Sequence, residues 1–171
     1  MKKLSIIAFV SLALMAVSPR ISAQETASAT ATATIVTPIS IVKDVDMNFG
    51  NVAVQSTAGG TVVLTPAGVR SRTGGVTLPS TATGTVTAAS FTVTGTGSYS
   101  YSITLPSTAL TITSGSNTMT VTNFVSNPTG VGTLTAGTQT LTVGATLNVS
   151  AAQAAGTYVS GTPFDVTVNY N

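Results

Sequence analysis

The segment that most constrains this chain is its end. From Phe164 to Asn171, Phe164, Val166, Val168 and Tyr170 share one parity, and Asp165, Thr167, Asn169 and Asn171 share the other. A period of two belongs to a strand with one buried and one solvated face. Pro163 stands just ahead, where its missing N–H does least harm to a ladder. Such a closing strand must find the rest of its sheet in earlier segments.

Those segments are present. Between Glu25 and Val45, Ala27, Ala29, Ala31, Ala33, Ile35, Ile39 and Ile41 alternate with Ser28, Thr30, Thr32, Thr34 and Ser40. The same parity runs on through Val45, Met47 and Phe49, with Pro38 the expected break between two strands. The Ala-Thr portion predicts a weak strand. Its methyl groups bury little area at about 25 cal/mol per Å², so it needs a ready-made groove. Shorter strands follow at roughly ten-residue spacing, the rhythm of an all-β sandwich. They are expected at Val52–Val54, Thr61–Thr65, Ala89–Thr94, Tyr99–Leu105 and around Leu141, Val143, Leu147 and Val149. Leu110 and Ile112, then Ser114-Gly-Ser-Asn117, then Met119 and Val121 read as a hairpin. Ala151–Ala155 reads as one helical turn stopped by Gly156. No fixed repeat period is present, which argues against a solenoid.

The other end carries an address. Met1-Lys-Lys3, an apolar run from Leu4 to Val17, and Ser18-Pro-Arg-Ile-Ser-Ala23 read as a secretory signal peptide over residues 1–23, cut between Ala23 and Gln24. The apolar run is shorter than the roughly 20 residues a membrane span needs, so no span is expected after removal of the signal. The expected location is exported, from periplasm to cell surface or beyond. The formal charge of +2 belongs to this leader. Beyond residue 23, Lys43, Arg70 and Arg72 stand against Glu25, Asp44, Asp46 and Asp165, a net charge of −1. No basic patch remains to neutralise phosphates, so no nucleic-acid partner is expected. Polarity comes instead from hydroxyls, with 34 threonines among the 171 residues. A surface so poor in charge suits a protein packed against copies of itself.

The catalytic inventory is thin. The chain has no His and no Cys, which removes imidazole and thiolate nucleophile systems, the corresponding metal sites and any disulfide. No enzyme activity and no cofactor are expected. Asp44-Val-Asp46-Met-Asn48 has the spacing of the first ligands of a calcium loop, but Gly50 falls one place late and position twelve is Gln55. The same residues read as the outer face of a strand whose inner face is Val45, Met47 and Phe49. The runs Thr30-Ala-Thr32-Ala-Thr34 and Thr81-Ala-Thr83-Gly-Thr85-Val-Thr87 have the look of ice-binding surfaces. Without a repeat period to bring many ranks into register, they read as ordinary strand faces. Asn148-Val-Ser150 fits a glycosylation sequon too short to carry weight. Arg70 and Arg72, beside Gly68 and Gly74-Gly75, either hold a carboxylate or line a solvated turn.

Taken together, Met47-Asn-Phe-Gly-Asn-Val52, the Gly-rich segment with Arg70, Phe91-Thr-Val-Thr-Gly95, Leu141-Thr-Val-Gly-Ala-Thr-Leu147, Gly156-Thr-Tyr158 and the Phe164–Asn171 ending resemble the DUF4402 domain of exported bacterial proteins. That pattern is similar to spore-coat protein U and to archaic chaperone–usher pilins. The resemblance implies an Ig-like β-sandwich of about seven to nine strands over residues 37–171, preceded by an extension or first strand at 24–36. In the pilin version the sandwich lacks one strand, which a neighbour's N-terminal extension supplies. Ala27, Ala29, Ala31, Ala33 and Ile35 would then form the donor strand, and Phe164, Val166, Val168 and Tyr170 the closing strand and partner edge. The function implied is a filament or coat subunit, with homo-oligomers, a periplasmic chaperone and an outer-membrane usher as partners. The alternative is a self-contained β-sandwich binding module with residues 27–36 as its own first strand. An amyloid-like matrix protein is a third reading, disfavoured by the many Gly and Pro residues.

Overall fold

From Ser40 onward, period-two alternation becomes antiparallel pairing. The computed structural model describes residues 23–171, so the expected leader lies outside the described residues except for Ala23. Ala23 and Gln24 are exposed and belong to no element, and all of residues 23–34 are exposed without strand or helix. The strand expected over Ala27–Ile35 therefore does not form in the single chain. Its alternation is right, but methyl groups alone give it little to bury.

Ile35–Asn171 is a second compact unit, and it holds thirteen strands. These are β1 (Ser40–Val45), β2 (Ala53–Val54), β3 (Gly60–Leu64), β4 (Arg70–Gly74), β5 (Val76–Thr77), β6 (Ala89–Thr94) and β7 (Ser100–Thr104). They continue with β8 (Leu110–Ser114), β9 (Asn117–Asn127), β10 (Val131–Thr133), β11 (Thr138–Val149), β12 (Val159–Ser160) and β13 (Thr167–Tyr170). Nine of them have four or more residues and the rest are short ladders. The fold is an all-β, Ig-like sandwich.

The large sheet runs β1-β6-β11-β9-β8-β12, with β3 also on β11 and β4 outside β3. Strand β11 organises it. Its first half pairs with β6, its second half with β3, and its other flank with β9. Gly144 sits at the changeover, where a Cβ would run into the Leu64 carbonyl and the start of Pro66. A second sheet, β10-β7-β13, and a two-stranded ladder, β2-β5, complete the set.

Alternation decides which side chains fill the space between layers. Phe91 and Val93 of β6 and Leu141 and Val143 of β11 pack with Tyr101 of β7, Val168 of β13 and Leu134. Farther along β11, Ala145, Leu147 and Val149 join Val62, Val121 and Val76, with Phe49, Val52 and Val54 against them. Burying one such aliphatic side chain contributes about 1.5–3 kcal/mol. The expected hairpin forms too, with Ser114 opposite Asn117 and Gly115 at φ +58° in the turn.

Three local expectations fail for identifiable reasons. Ala151–Ala155 is no helical turn. Ala151 and Ala152 form a plain turn, the Ala152 N–H donates to the Gln55 carbonyl, and Gln153 Nε2 donates to Thr118 O and Tyr158 Oη. The Ala152 N–H is thereby spent outside the segment, and Ala152 itself sits at φ +51°, in the left-handed region, which breaks a right-handed turn. Val45 is 41% exposed rather than inward-facing, because a register shift between Lys43 and Val45 turns the parity over. The strand itself stops at Val45, and Asn48 only bridges Thr87.

Candidate assembly edge

An unpaired strand flank presents N–H and C=O groups that accept another strand, and sheet proteins blunt it with charge, bulges or brevity. In the two larger sheets the flanking strands are β1, β4, β12, β10 and β13. Strands β12 and β10 are two and three residues long. Strand β1 carries the bulge just described and a charge in a core-facing position. Lys43 lies opposite buried Phe91, so its stem starts towards the core, and its ammonium turns out to Asp46 Oδ1 at 2.7 Å.

Strand β4 repeats the device. Arg70 lies opposite Leu64 and Arg72 opposite Val62, both fully buried. Arg70 Nη1 donates to the carbonyls of Phe49 and Asn51, and Arg72 Nη1 donates to the Val76 carbonyl at 2.8 Å. Rather than lining a solvated turn, these guanidinium groups fasten loops and charge an edge. Among the described residues, all three Lys and Arg side chains thus sit in core-facing register on edge strands. Sequence reading missed this, although Lys43 shares the odd parity of Ile39 and Ile41 and could have signalled it.

Strand β13 has none of these features. Thr167–Tyr170 is uncharged, unbulged and paired only with β7. The Asn171 N–H donates to the Ser100 carbonyl, so alternation points the N–H and C=O of Val168 and Tyr170 away from β7. No backbone partner meets them among the described residues. The parity expected here holds for every residue. Val168 is buried, and Phe164, Val166 and Tyr170 are half-buried against the first core cluster. The ladder covers only Thr167–Tyr170, however, and Phe164–Val166 continues it without pairing.

Aromatic contacts fix this edge. Phe164 packs at 5.0 Å from Phe124 and edge-on at 6.4 Å from Phe91. Beside it opens a cleft of about 390 Å³ lined by Leu105, Pro106, Leu110, Pro163 and Phe164 among others. Tyr170 Oη accepts the Thr96 N–H at 2.6 Å and donates to the Thr37 carbonyl at 3.0 Å. The Gly95 backbone passes so close to this hydroxyl that a Cβ there would overlap it. On the neighbouring strand, Tyr101 Oη donates to Gln139 Oε1 at 2.7 Å, and burial pushes its phenol above the ordinary value.

The remaining candidates are not assembled into sites. The Asp44 carboxylate accepts the Thr92 hydroxyl at 2.9 Å, Asp46 holds Lys43, and Asn48 Oδ1 accepts the Gly50 N–H at 2.8 Å. These oxygens have separate protein partners, and no group of three or more acidic, His or Cys side chains suited to a metal occurs among the described residues. Thr81–Thr85 forms no strand, and Thr87 joins only the bridge to Asn48. Asn148 Nδ2 donates to Thr122 Oγ1 and to Thr120 O, within the sheet surface. No helix among the described residues is long and apolar enough to cross a membrane.

No curated protein and no solved structure gives a match to the chain. A family model described as a domain of unknown function does match, over residues 39–170. That range begins one residue before β1 and ends on the last residue of β13. This chain belongs to the DUF4402 family.

Proposed function

We propose that this protein is an exported structural subunit that builds a surface filament or coat by β-strand addition at β13. The segment carrying Ala27, Ala29, Ala31, Ala33 and Ile35 in one copy supplies the strand that the next copy's edge accepts. The observation that carries this reading is the contrast among edges: among the described residues, β13 alone is neither charged, bulged nor shorter than four residues. Two features of the donor segment support it. Residues 27–34 are exposed and unpaired, and Ile35, its one bulky side chain, is 96% exposed. A periplasmic chaperone covering β13 before assembly and an outer-membrane usher are the partners this route calls for. The alternative, a self-contained binding module, needs residues 27–36 as a strand, and they form none.

The test is electrophoresis in detergent, with and without boiling, of protein sheared from cells that express the full chain. The expected result is a ladder that collapses to monomer only on boiling, and its absence when residues 24–34 are deleted. A single monomer band under both conditions overturns the proposal.

A further inference from the structure

Strand addition uses an edge, whereas the outer side of the large sheet offers a face. Along β6 and β11, the residues pointing away from the core are Ser90, Thr92 and Thr94, and Thr138, Thr140 and Thr142. Pairing places them in ranks, with Ser40, Thr94 and Thr138 in one and Val42, Thr92 and Thr140 in the next. The sequence has no repeat period, but the ladders bring hydroxyls and methyls into register all the same. Similar ranks continue across β3, β4, β8 and β9, where Thr61 lies opposite Thr73 and Thr111 opposite Thr120. The cations of β1 and β4 take the opposite, core-facing register. Asp44, at the β1 rim, is the one charge among the described residues in contact with this face, and Thr92 holds its carboxylate.

We propose that this outer face of the large sheet is a lateral interface for the same face of a second copy. Three observations select that occupant. First, hydroxyls already satisfy one another across strands: Ser40 with Thr94 and Thr61 with Thr73, each at 2.7 Å, while Asn148 bonds Thr122 at 3.0 Å. Polar groups so paired lose less when water leaves, and they have less to offer a water lattice. Second, Asp44 at the rim is the single charge on this face among the described residues, so two copies meet with little repulsion, whereas a charged polymer finds little to hold. It also carries no aromatic ring to stack on a sugar or base. Third, the size fits. Each outward position covers about 30 Å² at normal strand spacing, and the face holds about two dozen, on the order of 800 Å² and comparable with one side of a standard interface. Two twisted sheets match each other when packed about 30° apart, which a flat crystal surface does not.

This pairing is independent of strand addition. The chain has no Cys, so one introduced thiol reports one position. Protein recovered from cells expressing full-length Thr140→Cys is treated with a bifunctional thiol reagent spanning about 10 Å, the separation of stacked sheets. Cross-linked dimer is expected. Thr133→Cys, on exposed β10 away from this face, is expected to give none. Adding Thr138→Lys to the Thr140→Cys chain brings like charges together and is expected to cut the dimer at least about tenfold with an unchanged unfolding midpoint. Deleting residues 24–34 is expected to leave the cross-link intact even as any boiling-sensitive ladder disappears. Equal cross-linking at Thr140 and Thr133, indifference to Thr138→Lys, or loss of the cross-link on deletion would each overturn the interface.

Discussion

Strands β1 and β13 border the same core cluster from opposite sheets, and they are built to opposite ends. Ile41 of β1 and Val168 of β13 both reach that cluster. One residue pair beyond Ile41, β1 presents Lys43 where the register calls for an apolar side chain, and then kinks at Asp44. An incoming strand would have to follow that kink and desolvate the Lys43–Asp46 pair. Strand β13 keeps its parity from Phe164 to Tyr170 and presents the backbone groups of Val168 and Tyr170 with no charge within the ladder. The comparison teaches where charge goes in a chain that has little of it. Its three cations beyond residue 23 are placed where they discourage pairing, and of the flanking strands with four or more residues β13 alone, among the described residues, is left without them.

The comparison breaks most completely if β13 is given charge, as β1 and β4 are. Thr167→Lys with Asn169→Lys adds two charges on exposed positions of the edge. The expected outcome is loss of the boiling-sensitive ladder, with folding stability unchanged to within about 0.5 kcal/mol by urea titration. A ladder of normal length from this variant would mean that β13 is not the accepting edge. Phe164→Ala acts on what holds the edge in place. Its ring is half-buried between Phe91 and Phe124, so truncation is expected to cost about 2–3 kcal/mol, below the full range for a buried Phe. A cost under about 0.5 kcal/mol would show that the segment before β13 is not anchored through this ring.

Much of this was legible in the sequence because alternation is a local signal. Phe164, Val166, Val168 and Tyr170, and the core positions of β6 and β11, follow from parity alone. The β8–β9 hairpin follows from Ser114-Gly-Ser-Asn117 between apolar pairs. What was hidden depends on pairing between distant segments. The flip at Val45 needs the β6 register, since nothing in Lys43-Asp-Val45 marks a bulge. Arg70 and Arg72 looked like a loop pair until β3 placed them opposite Leu64 and Val62. The threonine ranks needed ladders joining residues near 40, 92 and 140. The failed helical turn at Ala151 needed Gln55 and Thr118, far away in the chain, to claim its polar groups. The proposed donor segment is hardest to read, because Ala27–Ala33 has a strand's parity but too few apolar atoms to form one alone.

The smallest change tests the other side of the comparison. Lys43→Val restores the apolar residue that its position opposite Phe91 calls for, and removes an exposed ion pair with Asp46. Both partners are more than half exposed, so the pair contributes at most about 1 kcal/mol, and the added apolar contact offsets part of that loss. Unfolding by urea should therefore barely move. Association should move instead. With its inward charge gone, β1 becomes a second acceptor, and sedimentation of the variant lacking residues 24–34 should show concentration-dependent association that the Lys43 parent with the same deletion does not. If the two sediment alike, the bulge at Asp44 is enough to close β1. Lys43 would then serve only to hold Asp46, and the contrast between the edges would rest on backbone shape rather than charge.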